Sequence, residues 1–186
     1  MKTTMKLFAA ITIMSAISIG AIAQTDNANI AGKAEILQAI NVTGVTDLNF
    51  GRVSPGLTKT IDLVNVATGG QVGEGTQTTG VFSVSAASGS NVQIQFTTLP
   101  ANLVNGALDN LPIGTYTAGY GIANPYAGTP FTAGTGTQVS GGNFPINEIS
   151  TGINGIYVFI GGTVTPGATQ AIGDYTAPIT LTATYN

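Results

Sequence analysis

The sequence predicts an all-β protein, an antiparallel sandwich of the immunoglobulin type with eight or nine short strands. Three observations support this fold class. Charged residues make up only 7% of the chain, so strong helix formers are scarce. Short runs with period-two alternation recur along the chain. Glycine, asparagine and proline signal a turn about every ten residues, a spacing typical of sandwiches. A closed barrel is the main alternative.

Two stretches give the clearest strand patterns. In NVQIQFTTL, Val92, Ile94 and Phe96 alternate with polar residues and are predicted to face inward. GIYVFIGGTV is almost continuously apolar, which predicts a central strand covered on both faces. The candidate strands in chain order are Gly32–Val42, Leu48–Gly51, Thr60–Val66, Gly80–Ala86, Asn91–Leu99, Leu103–Leu111, Thr115–Ile122, Gly155–Val164 and Tyr175–Tyr185. Between Asn124 and Asn147 we expect a long loop that contains a hairpin.

The N-terminus has the pattern of a secretory signal peptide. Lys2 and Lys6 precede an apolar stretch, and Ala21-Ile22-Ala23 offers a small-x-small cleavage site. We therefore expect a signal peptide at residues 1–23 and a single sandwich domain at residues 24–186. The alternative, a membrane anchor, needs a longer apolar run of about 20 residues. The expected location is secreted, in the periplasm, on the outer surface or outside the cell, with no membrane span after cleavage.

Composition argues against most catalytic and nucleic-acid functions. The chain has no histidine and no cysteine, so the usual general base, zinc ligands and thiol nucleophile are missing. After signal cleavage, three basic residues would remain against eight acidic ones, which disfavours phosphate-backbone binding. The eight carboxylates show no suggestive pair for glycoside hydrolysis. We therefore expect no enzyme, no cofactor, no metal site and no nucleic-acid partner.

A modest concentration of aromatic residues offers a different kind of site. Tyr116, Tyr120, Tyr126 and Phe131 could line a sugar-binding face. Ordinary contacts in the core and in loops are the simpler interpretation of the same residues. This group carries the alternative function, a monomeric module that binds a carbohydrate or small ligand.

The last fourteen residues, GDYTAPITLTATYN, form the most regular strand pattern of the chain. Apolar side chains occupy every second position, and threonines occupy most positions between them. Such a strand must bury its apolar face, either in its own sandwich or beside a groove that a neighbour fills. The candidate assembly strand therefore comprises Gly173, Tyr175, Ala177, Ile179, Leu181, Ala183 and Tyr185.

The C-terminal segment resembles two groups of secreted bacterial proteins. GGTVTPGATQAIGDYTAPITLTATYN and the earlier LNFG resemble the family called domain of unknown function 4402. The segment is also similar to the C-terminal motif of chaperone–usher pilins, with Gly173 fourteenth from the end and Tyr185 next to last. The pilin resemblance implies a pilin-like sandwich, a periplasmic chaperone as partner and a groove that accepts a donor strand. The chain departs from pilins in three features: the missing disulfide, Pro178 within the final strand, and a short N-terminal arm, Gln24–Ala31, without an alternating apolar face before Ile30.

These observations together predict a secreted bacterial structural protein of the cell surface. We expect a fimbrial-type, adhesion or matrix subunit that acts through packing between β-strands. Its expected partners are further copies of itself or other surface proteins.

Overall fold

The computed structural model describes residues 26–70, 75–106, 109–130, 147–150 and 155–185. The chain divides into two compact units, Met1–Glu35 and Ile36–Asn186. Residues 26–35, the described part of the first unit, contain no regular secondary structure. The expected signal peptide at residues 1–23 lies outside the described residues. In the described ranges no helix is long and apolar enough to cross a membrane.

Every strand in the described part of the second unit pairs antiparallel with its neighbours, which confirms the predicted all-β class. Eleven strands occur in the described residues, more than the eight or nine expected, because several are only two to four residues long. They are β1 Asn41–Thr46, β2 Lys59–Ile61, β3 Ala67–Gly69, β4 Gly80–Ser85, β5 Asn91–Thr98, β6 Asn102–Val104, β7 Asn110–Gly121, β8 Thr129–Pro130, β9 Asn147–Ser150, β10 Ile156–Val164 and β11 Thr180–Tyr185.

These strands form two sheets. In the eight-stranded sheet, β10 lies at the centre, with β4 and β2 along one edge and β7 along the other. Strand β1 pairs with β4, β3 pairs with β2, and the short β6 and β8 pair with parts of β7. The three-stranded sheet has the order β11-β5-β9.

The two sheets face each other across one hydrophobic core, as expected of a sandwich. On β5, Val92, Ile94 and Phe96 are buried, while the intervening glutamines are partly exposed, which confirms the predicted alternation. Phe96 meets Phe82 of β4 edge to face, with ring centroids 6.2 Å apart. Side chains from β5, β10 and β7 belong to the same buried cluster.

The predicted central strand is also confirmed. Seven of the nine residues of β10 are buried, and the strand has hydrogen-bonded neighbours on both edges. Its continuous apolar run reflects cover on both faces, because side chains on either side of a pleated strand must leave water there.

The first predicted strand, Gly32–Val42, is wrong in its position. Regular pairing begins only at Asn41, and residues 32–39 are exposed without strand structure. The side chain of Ile36 is 95% exposed. LNFG is not a strand either, since only Asn49 forms an isolated bridge, to Thr78.

The prediction of one strand over Thr60–Val66 is wrong because a side chain closes a turn inside it. An Asp62 carboxylate oxygen accepts hydrogen bonds from the amides of Val64 and Val66, at 2.9 and 2.7 Å. Asn65 adopts the left-handed conformation, with φ of 63°. Strands β2 and β3 therefore form a hairpin around this turn.

The remaining predictions have mixed outcomes. Leu103–Leu111 is a hairpin between β6 and β7 rather than one strand, and Thr115–Ile122 falls largely within the longer β7. Of the predicted loop between Asn124 and Asn147, residues 131–146 lie outside the described residues, so its internal hairpin stays a prediction.

Candidate functional site

The terminal segment presents one apolar face, as its alternation predicts. Leu181 is buried, whereas Tyr175, Ala177, Ile179, Ala183 and Tyr185 are half-buried and every residue between them is exposed. Gly173 is exposed at the start of the segment. Regular strand structure begins only at Thr180.

This face packs against the protein's own core. In the ladder between β11 and β5, Leu181 lies opposite Phe96 and Ala183 lies opposite Ile94. In the part of the chain that the structure describes, β11 pairs with β5 alone. The second edge of β11 therefore has no hydrogen-bonded strand in those residues, although β1 is in contact with β11.

The hydroxyl group of Tyr185 fixes the end of β11. It accepts a hydrogen bond from the Ala87 amide at 2.8 Å and donates one to the Gln38 carbonyl. One side chain thus joins the last strand to the β4–β5 connection and to the segment that leads into β1. Apart from the position of the tyrosine, no sequence pattern predicts this contact.

A groove of about 1000 Å³ opens between two segments, residues 44–55 and residues 170–179. We call it the terminal groove. Buried core side chains line its floor: Phe50, Leu111, Ile113, Ile160 and Val164. The charged residues that line it are exposed: Asp47, Arg52 and Asp174. The groove therefore lies directly over the apolar interior.

One wall of the groove offers unpaired backbone groups. Thr176 exchanges two backbone hydrogen bonds with Val104, at 2.9 and 3.0 Å. In an extended segment the neighbouring residues point their amides to the opposite edge. Accordingly, neither Ala177 nor Ile179 has a backbone hydrogen bond in the described residues.

Pro178 lies in this wall and precedes β11, which begins at Thr180. It lies two residues after Thr176, so in an extended segment its nitrogen points toward the same side as the Thr176 amide. That side is occupied by β6. The position that lacks an N–H is therefore on the β6 side of the segment.

The opposite wall, around Asn49, also has backbone groups without hydrogen-bond partners in the described residues. Asn49 exchanges two backbone hydrogen bonds with Thr78, both of 2.9 Å. Its neighbours Leu48 and Phe50 make no backbone hydrogen bond in the described ranges. The sequence pattern of LNFG predicts a short strand and gives no sign of this wall.

The aromatic residues of the alternative site differ in their surroundings. Tyr120 packs against the same core cluster that contains Tyr116. Tyr116 is buried, and its hydroxyl donates to the Pro100 carbonyl at 2.8 Å. Burial raises the pKa of the Tyr116 phenol. Tyr126 instead contacts Phe159, with ring centroids 5.0 Å apart, and Phe159 lies outside the core cluster that includes Tyr116. Phe131 lies outside the described residues.

The described residues contain no group of three or more acidic side chains that could hold a metal ion. Comparison with protein-family models, with curated proteins and with solved structures gives no match. The proposed function therefore rests on the physical features of the terminal groove.

Proposed function

We propose that this protein is a structural subunit of a bacterial cell surface, of the fimbrial, adhesion or matrix kind. It acts by accepting an added β-strand in the terminal groove. One observation carries the proposal: the groove reaches core side chains between two walls whose outward backbone amides have no partner in the described residues.

The floor of the terminal groove is apolar. Leu111, Ile113 and Ile160 belong to the core, yet they line an open groove. Each fully buried aliphatic side chain contributes about 1.5–3 kcal/mol relative to an exposed one. These floor side chains are already buried, so the gain from an occupant would come from burial of its own apolar side chains against them.

The walls of the terminal groove offer backbone groups to an added strand. Unpaired strand edges favour the addition of another strand, which supplies a row of N–H and C=O partners. Ala177 and Ile179 on one wall, with Leu48 and Phe50 on the other, are placed to receive such a strand. A small ligand would leave most of these groups without partners.

The polar groups of the groove indicate which kind of occupant it accepts. Small-molecule sites combine an apolar lining with a few convergent polar groups that orient the ligand. The terminal groove has charged side chains only at exposed positions, and its volume lies at the upper end of the range for such sites. This composition favours a peptide segment over a sugar.

The resemblance to pilins points in the same direction. The segment from Gly173 to Ile179, which starts the pilin-like motif, forms one wall of the groove. Secretion is proposed from the signal-like pattern of residues 1–23. A periplasmic chaperone would protect the groove during export by the same kind of strand addition.

The test is self-association of the secreted protein and its dependence on the groove. We expect oligomers in sedimentation analysis and expect that Ala177→Arg abolishes them, because the arginine places a charge in the groove. Thr184→Arg is the control, since Thr184 is exposed on the other face of β11. A strict monomer that binds no other surface protein would contradict the proposal, as would an Ala177→Arg variant that associates normally.

A further inference from the structure

Three basic residues follow the expected signal peptide: Lys33, Arg52 and Lys59. Lys33 and Arg52 are exposed, whereas Lys59 is fully buried. Endopeptidases of the trypsin-like class take a lysine or arginine side chain into an acidic specificity pocket. Such an enzyme therefore has two exposed positions to choose between, and the backbone around them differs.

The backbone around Lys33 is free of hydrogen bonds. Residues 26–37 are exposed, lie outside regular secondary structure and make no hydrogen bond or ion pair in the described residues. A Cβ atom built on Gly32, next to Lys33, would meet nothing within 4 Å. Proteolytic cuts concentrate in exposed terminal segments of this kind, since the backbone enters the protease without prior unfolding.

The peptide bond after Arg52 is protected. The Arg52 carbonyl oxygen, which an oxyanion hole would have to bind, accepts a hydrogen bond from the Lys59 ammonium at 2.9 Å. The preceding Gly51 has a φ of 65°, whereas an extended backbone requires a negative φ. A Cβ atom built on Gly75 would lie 3.3 Å from the Arg52 amide nitrogen, so a second backbone segment lies against this position.

We propose that Lys33 is a processing site, at which a trypsin-like endopeptidase cuts the folded protein between Lys33 and Ala34. The reaction is hydrolysis: water adds across the peptide bond and leaves a carboxylate on Lys33 and a free amino group on Ala34. A single cut follows, because the Arg52 bond is protected and Lys59 is buried. This inference goes beyond the proposed function, because strand addition in the terminal groove involves neither Lys33 nor Ala34.

The folded unit should survive the cut. The cut falls within Met1–Glu35, whereas the strands and the groove belong to Ile36–Asn186. Among the released residues that the structure describes, Ile30 is 96% exposed, so their loss uncovers no apolar core. The Gln38 carbonyl stays bound to the Tyr185 hydroxyl beyond the new terminus. Urea unfolding of the cut and intact proteins should therefore have the same midpoint.

Limited digestion of the secreted protein with trypsin tests which bond is open. Mass spectrometry should show a first cut after Lys33. Lys33→Gln should slow this cut at least about a hundredfold, because the acidic pocket of the enzyme loses its charged partner. Lys33→Arg is the matched control and should be cut as readily as the wild-type protein. A first cut after Arg52 in the folded wild-type protein would overturn the inference.

A second variant separates side-chain specificity from access to the backbone. The double variant Lys33→Gln, Gln38→Lys moves the basic residue to a position whose carbonyl is bound to the Tyr185 hydroxyl. It should be cut at least about tenfold more slowly than the wild-type protein, since one hydrogen bond must open first. Cutting after residue 38 at the wild-type rate would show that the unbonded backbone does not select Lys33, and would overturn the assignment.

The N-terminal sequence of the protein recovered from its producing cells shows whether the cut is used. We expect Ala34 as the first residue of the wild-type protein and a longer chain from Lys33→Gln. Wild-type protein that keeps Lys33 and the residues before it would overturn processing, even if trypsin cuts there in solution. That result would leave strand addition untouched, because self-association of the protein is measured separately.

Discussion

The Tyr185 hydroxyl accepts a hydrogen bond from the Ala87 amide at 2.8 Å, across the gap between β11 and the β4–β5 connection. The same hydroxyl donates to the Gln38 carbonyl. Three parts of the chain that are remote in sequence thus meet at one oxygen atom. Since the described chain has no disulfide, such contacts and the core must hold the C-terminal strand in place.

We expect Tyr185→Phe to lower the free energy of unfolding by about 1–3 kcal/mol, because the partly buried Ala87 amide loses its acceptor. Urea unfolding monitored by circular dichroism measures the change. Tyr157→Phe is the control, since no hydrogen bond is made by that hydroxyl in the described residues, and its effect should stay within about 0.5 kcal/mol. Equal stability of the Tyr185→Phe and wild-type proteins would argue against the role of this contact.

Truncation after Ala177 should prevent folding or secretion. The deletion removes β11 and with it Leu181, which lies opposite Phe96 in the ladder. Core residues of β5 would then face water, a loss larger than the usual stability of a domain of this size. The yield of secreted protein and its circular dichroism are the measurements. A shortened chain that is secreted, folded and soluble would show that the terminal strand is dispensable.

The turn between β2 and β3 offers a test of local side-chain chemistry. We expect Asp62→Ala to destabilise the protein by about 1–3 kcal/mol, because the amides of Val64 and Val66 lose their shared acceptor. Asp62→Asn retains a side-chain oxygen at the same position and should recover most of the loss. If alanine and asparagine behave alike in urea unfolding, the carboxylate oxygen does not hold the turn.

Two glycines with similar backbone angles should respond differently to alanine. Gly155 and Gly89 have φ of 74° and 76°. A Cβ atom at Gly155 would collide with the Val84 carbonyl, whereas at Gly89 it would meet open space. Gly89→Ala should cost about 1–2 kcal/mol from backbone strain alone. Gly155→Ala should cost distinctly more in the same thermal or urea unfolding, and equal costs would contradict the close approach of β10 to β4.

Stability should fall in alkaline solution through Tyr116. Burial raises the pKa of this phenol above its ordinary value of 10.0. The unfolded chain therefore releases the proton near pH 10 while the folded chain keeps it, so stability is full below about pH 10 and declines as the pH rises further. Urea unfolding between pH 8 and pH 11 measures the slope. Tyr116→Phe should make that slope shallower, and an unchanged slope would exclude Tyr116 as its source.

The sequence predicts the centre of the fold better than its margins. Val92, Ile94 and Phe96 alternate because one face of β5 meets the core, and the run in β10 is continuous because both faces are covered. Because buried positions of a strand require apolar residues, this burial can be inferred directly from the sequence. The turn at Asp62 is harder to predict from the sequence, because its hydrogen bonds depend on one side chain inside an otherwise apolar run.

The candidate site was only partly predictable. Alternation of apolar and polar residues predicts the terminal strand. No periodic pattern predicts the second groove wall around Leu48 and Phe50. Alternation from Ile30 to Ile36 indicates a segment able to form a strand. It does not specify which sheet the strand joins. The sequence therefore predicts a strand from Gly32 onward in this chain's own sandwich, whereas residues 32–39 are exposed without strand structure.

Amide hydrogen exchange of the assembled protein tests the central claim most directly. The amides of Ala177 and Ile179 lack backbone partners in the described part of the isolated chain and should exchange quickly there. If an added strand pairs with this wall, both amides should become strongly protected on assembly. Equal exchange rates in the assembled protein and in the monomeric Ala177→Arg variant at Ile179 would contradict strand addition in the terminal groove.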